Sequence, residues 1–556
     1  MEAHDQYHDR KNGAKNPHNC PNSHRSRLGP TPNNHNTICT EIYLFAVLYT
    51  LEVSPPRNED ILFRKALYGL IIQSAICPLS VGAAEDSHLM LNRGSVHVPG
   101  GVEIAAFDPQ SGHIYAIGEQ GLMVFEFDEF NRFSIIHSST YSNTERWQAT
   151  SVVVDSVGRG FVACSWIPEP SDRVPGMVQI LDTQTNTVVW QMSIGYHPDC
   201  LAMSPDGRYL IAANEGEPGI GDQPGAITIV DLSDIKQASD FAGLNDVRTF
   251  GFTEEFLGEG VRLDMLRVTD SLKDTPEVDI EPEYLAASNE GVWVGLQENN
   301  GLAYFDFALE QWTRVQSLGR LSQVFDANDE DGVDITTQLG FGLLPQPDTI
   351  ALTAIDGRSY IVLANEGEKA DADTIRFSDA ILQGLMDPGA LEGIRASYSL
   401  DAFLRLGRLW ISTIDGDLDG DGDIDLPCAL GGRSASIIDA DTGAEVWNSG
   451  AQFEQISARL WEDAYNDHDT RSDRSGPEPE GIAVGHVGEG DDARTLMFVG
   501  LERTGALMMY DISDPVSAMF LDAQLLDAAC ARPEGLVFFS LYERDFIGVA
   551  SEKGGC

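Results

Sequence analysis

The sequence predicts an all-β chain that folds as a seven-bladed β-propeller, with an insertion in the fifth blade and an incomplete last blade. Three observations predict this fold. A proline–acid phrase recurs along the chain, a second apolar run ending in glutamate follows most copies, and a third alternating run comes after that. A unit repeated about every 40–50 residues is typical of propeller blades.

The first observation is a phrase made of proline, an acid, any residue and an aliphatic residue, followed by small or apolar residues. Clear copies are HPDCLAM (197–203), EPEYLAA (281–287), QPDTIAL (346–352), EPEGIAV (478–484) and RPEGLVF (532–538). Looser copies are GGVEIAAF (100–107) and RWQATSVV (146–153). Because each blade of a propeller begins with one such strand, these openings predict seven blades.

The second and third runs complete each predicted sheet. Runs such as YLIAANEGE (209–217) and YIVLANEGE (360–368) end in glutamate, and alternating runs such as AITIVDL (226–232) follow them. Short antiparallel strands joined by tight turns form a propeller blade. A β-solenoid is the alternative, but it requires shorter and more regular periods.

The spacing of the units sets the domain boundaries. The gap between Asp348 and Glu480 is too wide for one blade, so we expect an insertion at roughly 371–430 plus 456–476. The last unit stops after its second strand, and we expect 87–98 (SHLMLNRGSVHV) to complete it. The predicted propeller therefore spans 85–556.

The first 84 residues differ from the rest of the chain. Residues 1–60 are rich in Asn and His, and we interpret them as a disordered or non-native N-terminal extension. Residues 61–84 combine a basic start, an apolar stretch and small residues, which predicts a signal peptide; a buried helix is the alternative. No apolar run reaches the roughly 20 residues of a transmembrane helix. We expect a secreted, periplasmic or cell-surface protein.

The charge restricts the partners. The chain has 36 Lys+Arg and 87 Asp+Glu, a formal charge of −51. Nucleic acids and anionic membranes attract basic surfaces, so neither is an expected partner. Divalent cations are the natural partners of so acidic a chain. The 8 cysteines are scattered and show neither a disulfide framework nor the CxxC spacing of a metal site.

The repeat predicts a ring of acids. The start of the first strand and the end of the second lie at the same edge of an antiparallel sheet. If the first strand is innermost, the acids at these positions gather around the central channel, where hard oxygen ligands favour Ca²⁺ over zinc or copper. The predicted ligands are Glu103, Asp199, Glu215, Glu217, Glu283, Glu298, Asp348, Glu366, Glu368, Glu480, Glu502 and Glu534.

Two other interpretations of these acids stay open. They could be turn residues at blade ends whose carboxylates accept backbone amide hydrogen bonds. They could also reflect salt or marine adaptation, which predicts acids spread evenly over the surface. Arg503 and Arg532 lie next to predicted ring acids and are the predicted phosphate contacts.

A second predicted calcium site lies in the insertion, in Asp415–Asp425 (DGDLDGDGDID). Counted from Asp417, acids fall at loop positions 1, 3, 5 and 9, a glycine falls at position 6, and Asp423 supplies the backbone carbonyl of position 7, as in an EF-hand loop. Position 12 holds Cys428 in place of the closing glutamate. The predicted ligands are Asp417, Asp419, Asp421, Asp423 and Asp425. A solvated acidic loop is the alternative, and 326–335 (DANDEDGVDI) is a weaker candidate.

Catalytic motifs give no further indication. The chain contains no G-x-S-x-G, HExxH or P-loop motif, so no catalytic residue is predicted. His468 lies among acids in 465–481, where it could meet a metal or a phosphate; a solvated surface histidine is the ordinary interpretation.

Several of these motifs together resemble the choice-of-anchor I family, which includes mesenchyme-specific cell-surface glycoproteins of biomineralising cells and some large atypical bacterial alkaline phosphatases. The resemblance covers roughly residues 98–552. It depends on segments 197–218, 280–300, 346–368, 415–439, 471–485 and 499–515. It implies an extracellular, propeller-like, calcium-associated protein whose mode of anchoring differs between members. PEPEGIA (477–483) is also similar to phytase-like propellers.

Two functional hypotheses follow. The first is a secreted calcium-binding propeller that acts as a binding module towards mineral or a cell-surface matrix. The second is a calcium-dependent phosphoesterase, in which clustered Ca²⁺ would bind phosphate and activate a water molecule.

Overall fold

The computed structural model describes residues 47–51, 89–98, 100–119, 121–128, 132–139, 146–169, 174–216, 223–244, 246–269, 272–367, 373–528 and 531–552. The predicted signal peptide, 61–84, lies outside these residues. So does the predicted N-terminal extension, except that Val47–Leu51 forms a β-strand. No helix among the described residues is long and apolar enough to cross a bilayer.

The described residues form 34 strands, which are numbered here in chain order. The first twelve are β1 Val47–Leu51, β2 Met90–Gly94, β3 Ala105–Asp108, β4 His113–Gly118, β5 Gly121–Phe127, β6 Phe133–Ser139, β7 Arg146–Val154, β8 Phe161–Glu169, β9 Met177–Asp182, β10 Thr187–Ser193, β11 Pro198–Met203 and β12 Tyr209–Asn214. The next eleven are β13 Ala226–Asp231, β14 Val247–Gly251, β15 Leu285–Ala287, β16 Gly291–Leu296, β17 Gly301–Asp306, β18 Gln311–Ser317, β19 Val324–Phe325, β20 Thr336–Thr337, β21 Gly342–Leu344, β22 Pro347–Ile355 and β23 Arg358–Asn365. The last eleven are β24 Thr374–Arg376, β25 Trp410–Ser412, β26 Cys428–Leu430, β27 Ser434–Asp439, β28 Glu445–Asn448, β29 Pro479–Val487, β30 Arg494–Leu501, β31 Ala506–Asp511, β32 Met519–Leu525, β33 Pro533–Leu541 and β34 Arg544–Ser551.

Six four-stranded sheets each take their strands from one stretch of chain, and we call them blades 1 to 6. They are β3–β6, β7–β10, β11–β14, β15–β18, β22-β23-β27-β28 and β29–β32. All their neighbouring strands are antiparallel. The first strand of each blade contacts the first strand of the next, so these strands surround a common axis.

A further four-stranded sheet combines the two ends of the described chain, and we call it the composite sheet. Its order is β2-β1-β34-β33, with β33 completing the circle by contacting β29 on one side and β3 on the other. The carboxylate of Asp522 in blade 6 accepts hydrogen bonds from the backbone N–H groups of Leu89 and Met90 at 2.8 and 3.0 Å, which attaches β2 to its neighbour.

The predicted all-β propeller is confirmed, but the blade count is corrected. Six blades, not seven, are built from consecutive strands. The physical reason is that the chain after Leu526 supplies only the hairpin of β33 and β34, whose edge would otherwise expose unpaired backbone groups. The predicted strand 87–98 contributes β2, but Val47–Leu51 separates it from that hairpin.

Apolar residues fill the spaces between neighbouring sheets. The residues at alternate positions of a strand face opposite sides, so each strand contributes to two of these cores. Trp166, Phe161, Trp312 and Tyr510 are among the largest side chains that are fully buried. This pattern explains why the second and third strands read as nearly continuous hydrophobic runs, since both of their faces are covered.

The insertion of blade 5 lies between β23 and β27. Its described residues contain three short helices, α1 Phe377–Gln383, α2 Pro388–Ser397 and α3 Leu400–Leu406, which enclose their own hydrophobic core around Phe377. A fourth helix, α4 Gln452–Leu460, follows β28. Its Glu454 forms a fully buried ion pair with Arg433 at 2.8 Å, which attaches the helix to the loop before β27.

Aspartates at the ends of third strands do act as turn residues. Asp182, Asp306 and Asp439 each accept backbone N–H hydrogen bonds from residues two or three positions later, at 2.8 to 3.0 Å. These turns lie at the edge of the sheet where the second strand of a blade begins. The opposite edge is the one where that second strand ends. These third-strand aspartates are not among the predicted ring acids.

Candidate functional site

The predicted ring acids lie at one end of the propeller because of a repeated irregularity at the start of the inner strands. Pro198, Pro347, Pro479 and Pro533 each pair with the end of the second strand, and the register shifts immediately after every one of them. The acid that follows each proline lies in this shifted segment. Such bulges turn a side chain away from the regular alternation of the strand and are common beside functional sites.

The residue before the proline positions the acid of the second strand. His197, Gln346 and Glu478 have φ of 46°, 47° and 48°, in the left-handed region. The carbonyls of His197 and Glu478 each accept a hydrogen bond at 2.9 Å, from the N–H of Glu215 and Glu502 respectively. The two acids of one blade are thereby held side by side.

Four blades bring their acids together as two carboxylate groups. The blade 3/4 group contains Asp199, Glu215, Glu283 and Glu298, with His197 beside them. Ligand atoms of His197, Asp199 and Glu215 lie within 4.8 Å of one another, and so do those of Glu215, Glu283 and Glu298. Glu215 is therefore shared by two potential ion sites.

The blade 5/6 group repeats this arrangement. It contains Asp348, Glu366 and Glu480 in one trio and Glu366, Glu478 and Glu502 in another, each again within 4.8 Å. The shared residue, Glu366, lies in an Asn-Glu-Gly motif identical to the one that holds Glu215. Gln297 of blade 4 donates a hydrogen bond to the Glu366 carboxylate at 2.8 Å, which joins the two groups.

The two groups differ in how their negative charge is balanced. In the blade 5/6 group, Arg471 and Arg503 both pair with Glu478. Arg503 and Arg532 also pair with Glu502, at 2.6 and 3.0 Å. The described residues place no arginine or lysine in such a pair with Asp199 or Glu283, while the His197 Nδ1 lies 2.6 Å from the Glu215 carboxylate. The blade 3/4 group is thus the less neutralised of the two.

Glu283 shows the imbalance most clearly. Its side chain is 8% exposed, and its Oε2 atom has no hydrogen-bond partner among the described residues. Burial, followed by the charges of Glu298 and Glu215, holds the pKa of Glu283 well above its usual range. A buried carboxylate in this state requires a proton or a cation.

The remaining ring acids show the same electrostatics. Burial and neighbouring carboxylates raise the pKa of Asp199 to about 6, of Glu103 to about 7 and of Glu534 to about 8. Glu103 interacts electrostatically with Glu552, Asp199 and Glu119, and Glu534 with Glu502 and Glu552. These acids therefore extend the two groups around the channel. Glu217 and Glu368 lie outside the described residues.

The Asp-rich loop is arranged differently from an EF-hand loop closed around an ion. The Asp417 carboxylate accepts hydrogen bonds from Gly420 N–H at 2.6 Å and Gly422 N–H at 3.0 Å, and these bonds lower its pKa. Asp419 and Asp421 are exposed. Asp423 and Asp425 instead form a group with Asp387, the N-cap residue of α2, within 4.8 Å.

A buried arginine connects this loop to the ring. Arg267 pairs with Asp415 at 2.8 Å and with Asp373 at 3.2 Å, and it donates to the carbonyl of Glu298 at 3.1 Å. The weaker candidate, 326–335, is largely neutralised, since Asp331 pairs with Arg405 at 2.8 Å and Asp329 pairs with Arg408.

His197, Glu478, Glu552 and Asp387 were missed by the sequence analysis. The first two were recognisable in principle, because each directly precedes the proline of a repeat phrase. Glu552 ends a second strand in the same way as Glu215 does. Asp387 carried no such signal, since only folding of the insertion brings it to the loop. The described cysteines, Cys164, Cys200 and Cys428, are buried free thiols.

The fold and the site together define an acidic-channel β-propeller. Residues 103–515 match the profile of the choice-of-anchor I domain, and the chain belongs to that family. A family of this kind is consistent with a cell-surface or extracellular protein.

One curated relative and two solved structures are similar over different lengths. Gigasin-3a of Magallana gigas is 32% identical over 129 residues, which are 21% of this chain and 44% of that protein. The matched part thus spans less than half of the relative. The Cps50 (Swd1) β-propeller domain of Myceliophteria thermophila has 8% identity and a TM-score of 0.37, covering 81% of this chain and 96% of its own. The periplasmic gluconolactonase PpgL of Pseudomonas aeruginosa has 13% identity and a TM-score of 0.39, covering 87% and 97%. At these scores the two structures indicate neither a ligand nor an activity.

Proposed function

We propose that this protein is a secreted or cell-surface binding module whose propeller channel binds Ca²⁺ at the two carboxylate groups. The observation that carries the proposal is Glu283, a buried carboxylate with a partnerless oxygen set among Glu298, Glu215, Asp348 and Asp199. A divalent cation there would offset several negative charges at once. Its chemistry would be that of a hard ion, because the donors are carboxylate oxygens with one imidazole at the margin.

The shared residues suggest how many ions such a site would take. Glu215 and Glu366 each belong to two trios, and a carboxylate can bridge two cations with its two oxygens. We therefore expect up to two ions in the blade 3/4 group and fewer in the blade 5/6 group, where three arginines already occupy Glu478 and Glu502. The Asp-rich loop, with Asp423, Asp425 and Asp387, would form a separate and weaker site because it is exposed.

We also propose that the composite sheet contributes to the calcium-binding rim of the propeller. In support, β33 completes the circle of inner strands and brings Glu534 to the same end as Glu103 and Glu480. Bound calcium at this rim, with part of its coordination shell open, would then contact anionic groups of a mineral or a cell-surface matrix.

Calcium titration by isothermal calorimetry tests the proposal. The full chain, stripped of metal, is titrated with CaCl₂ and separately with MgCl₂ at pH 7.5. Glu215→Gln should lower the calcium stoichiometry, because both trios of the blade 3/4 group lose a ligand. Glu290→Gln, an exposed residue in a turn of blade 4, should leave it unchanged. A Glu215→Gln variant that binds calcium like the parent chain would refute the ring site, and a parent chain that binds none would refute the whole proposal.

A calcium-dependent phosphoesterase is the second candidate, favoured by the position of Arg503 and Arg532 beside Glu502 at the edge of the ring. Hydrolysis of p-nitrophenyl phosphate and phytate, each with and without Ca²⁺, separates the two functions. Calcium binding without turnover of either substrate would exclude the enzyme and retain the binding module.

A further inference from the structure

A cavity of about 280 Å³ opens beside the blade 5/6 group. Its polar lining comes from Glu502, Arg503, Thr504 and Arg532, and from Asp467 and His468. The rest of the lining is apolar and comes from Leu525, Leu526, Ala528 and Ala531. Pockets that combine convergent polar groups with an apolar lining are typical of small-molecule sites.

Thr504 is the residue that points to a ligand. It is 4% exposed and lines the cavity, yet its hydroxyl has no hydrogen-bond partner among the described residues. Buried hydroxyl groups normally make at least one hydrogen bond. A molecule in the cavity would supply the missing one.

Arg503 and Arg532 have more guanidinium N–H donors than their ion pairs with glutamate use. Arg503 uses Nε on Glu478 and Nη1 on Glu502, and Arg532 uses Nη1 on Glu502, within the part of the chain that the structure describes. A guanidinium carries five N–H donors, so both side chains can still bind an oxyanion. The side chain of Arg532 is 29% exposed, which leaves the cavity open to solvent on that side.

The part of the lining that holds Asp467 and His468 is a strained turn. Asn466, Asp467, His468 and Asp469 are four consecutive residues with φ of 43°, 53°, 59° and 70°. Residues other than glycine occupy this region rarely, and then usually as single residues. A run of four therefore requires support from the surrounding structure. That support includes the hydrogen bond from Asp467 N–H to the carbonyl of Arg503 at 2.6 Å, which fixes the turn against Arg503. Strained segments of this kind cluster at ligand sites.

We propose that this cavity binds the oxyanion group of a small organic anion, with Arg503, Arg532 and the Thr504 hydroxyl as donors, and that cations in the blade 5/6 group strengthen its binding. Inorganic phosphate and a phosphate monoester share the oxyanion, and only the monoester also fills the apolar part of the cavity. The strengthening depends on the proposed calcium function, whereas the anion site itself does not.

The cation effect follows from Glu502, which belongs to both sites. Its carboxylate now accepts hydrogen bonds from Arg503 and Arg532. A cation bound between Glu366, Glu478 and Glu502 would compete for that carboxylate and release guanidinium donors to the cavity. Coupling of this kind is reciprocal and commonly changes affinity 5- to 150-fold.

Calorimetric titration with inorganic phosphate and with phenyl phosphate, each in EDTA and in micromolar CaCl₂, tests the proposal on the full chain. Thr504→Val should weaken phenyl phosphate binding about tenfold, the loss expected for one hydrogen bond to a charged group. It should not lower the melting temperature, because it removes a hydroxyl that has no partner in the protein. Thr353→Val is the matched control: Thr353 is 7% exposed and also has a partnerless hydroxyl, but it lies in β22, away from the cavity. Arg532→Gln should weaken the binding of both inorganic phosphate and phenyl phosphate.

The outcomes separate the two parts of the proposal. Tighter binding of phenyl phosphate than of phosphate supports an organic ligand, and equal binding of the two refutes the role of the apolar lining. If the anion binds in EDTA and calcium does not strengthen its binding, the coupling between the cation and the anion site is refuted, whereas the anion site itself is supported. Unchanged binding in both Thr504→Val and Arg532→Gln, or no anion binding by the parent chain in either condition, overturns the site whatever calcium itself does.

Discussion

Replacing Glu283 by glutamine should stabilise the metal-free protein, and by an amount that depends on pH. The substitution keeps the shape of the side chain and removes its charge. Two charges 4.8 Å apart, the limiting distance between the ligand atoms of Glu215, Glu283 and Glu298, repel by about 3.5 kcal/mol at an effective dielectric of 20. Ionised Glu283 faces two such neighbours.

Protonation limits this cost. Taking up a proton on a carboxyl with an ordinary pKa of 4.5 costs about 1.4 kcal/mol at pH 5.5 and about 5 kcal/mol at pH 8.0. Glu283 can always take up a proton when the repulsion would cost more than protonation. The repulsion therefore destabilises the metal-free fold by no more than the cost of protonation at each pH. Glu283→Gln should raise the free energy of unfolding by up to about 5 kcal/mol at pH 8.0 and by no more than about 1.4 kcal/mol at pH 5.5.

The sign of the wider pH dependence follows from the same groups. The pKa values of Asp199, Glu103 and Glu534 are raised to about 6, 7 and 8, so the folded state holds more protons than the unfolded state above pH 4.5. The stability of the metal-free protein should thus fall as pH rises from about 4.5 to 8. Calcium should restore most of that loss at pH 8.0 and little at pH 5.5.

Thermal unfolding in EDTA and in CaCl₂, at both pH values, measures these effects. Glu290→Gln serves as the control, since it removes the same charge from an exposed turn. A Glu283→Gln variant that is less stable than the parent in EDTA at pH 8.0 would contradict this prediction. So would a gain in the free energy of unfolding that is equal at the two pH values.

Three further predictions concern other parts of the molecule. Glu454→Gln should lower the free energy of unfolding by about 3–5 kcal/mol in chemical denaturation, because it leaves the fully buried Arg433 without its counter-ion; a loss below 1 kcal/mol would contradict this. The double variant Asp423→Asn/Asp425→Asn should remove the weaker calcium site in calorimetry and leave the ring sites intact, whereas an unchanged isotherm would assign that loop no ion. Asp439→Ala should cost about 1 kcal/mol through the lost turn hydrogen bonds, without altering calcium binding.

The periodic part of the architecture was predictable because it depends on residues that are close in sequence, and because the same pattern is repeated in each unit. An antiparallel hairpin places the start of its first strand beside the end of its second, so pairs such as Asp199 with Glu215 follow from sequence once the strands are recognised. The family resemblance was confirmed for the same reason, since these phrases recur in a fixed order.

The predictions that needed contacts between distant segments fared differently. The blade count was wrong because Val47–Leu51, more than 490 residues from its partner β34, occupies the position that the repeat pattern left open. The group that Asp423 and Asp425 form with Asp387 could not be predicted, because Asp387 belongs to a different part of the insertion. Hydrophobic periodicity carries no information on such pairings.

The amino-acid sequence is enough to establish that this protein is an acidic, repeated all-β chain whose glutamates and aspartates recur at one edge of each unit. Local hydrogen bonding and side-chain alternation suffice for that. Which of these acids are neutralised depends on contacts between blades, since Arg471, Arg503 and Arg532 pair with Glu478 and Glu502 but not with Glu283. The balance of charge in a buried site depends on which side chains meet across blades, and that is a property of the closed circle of strands.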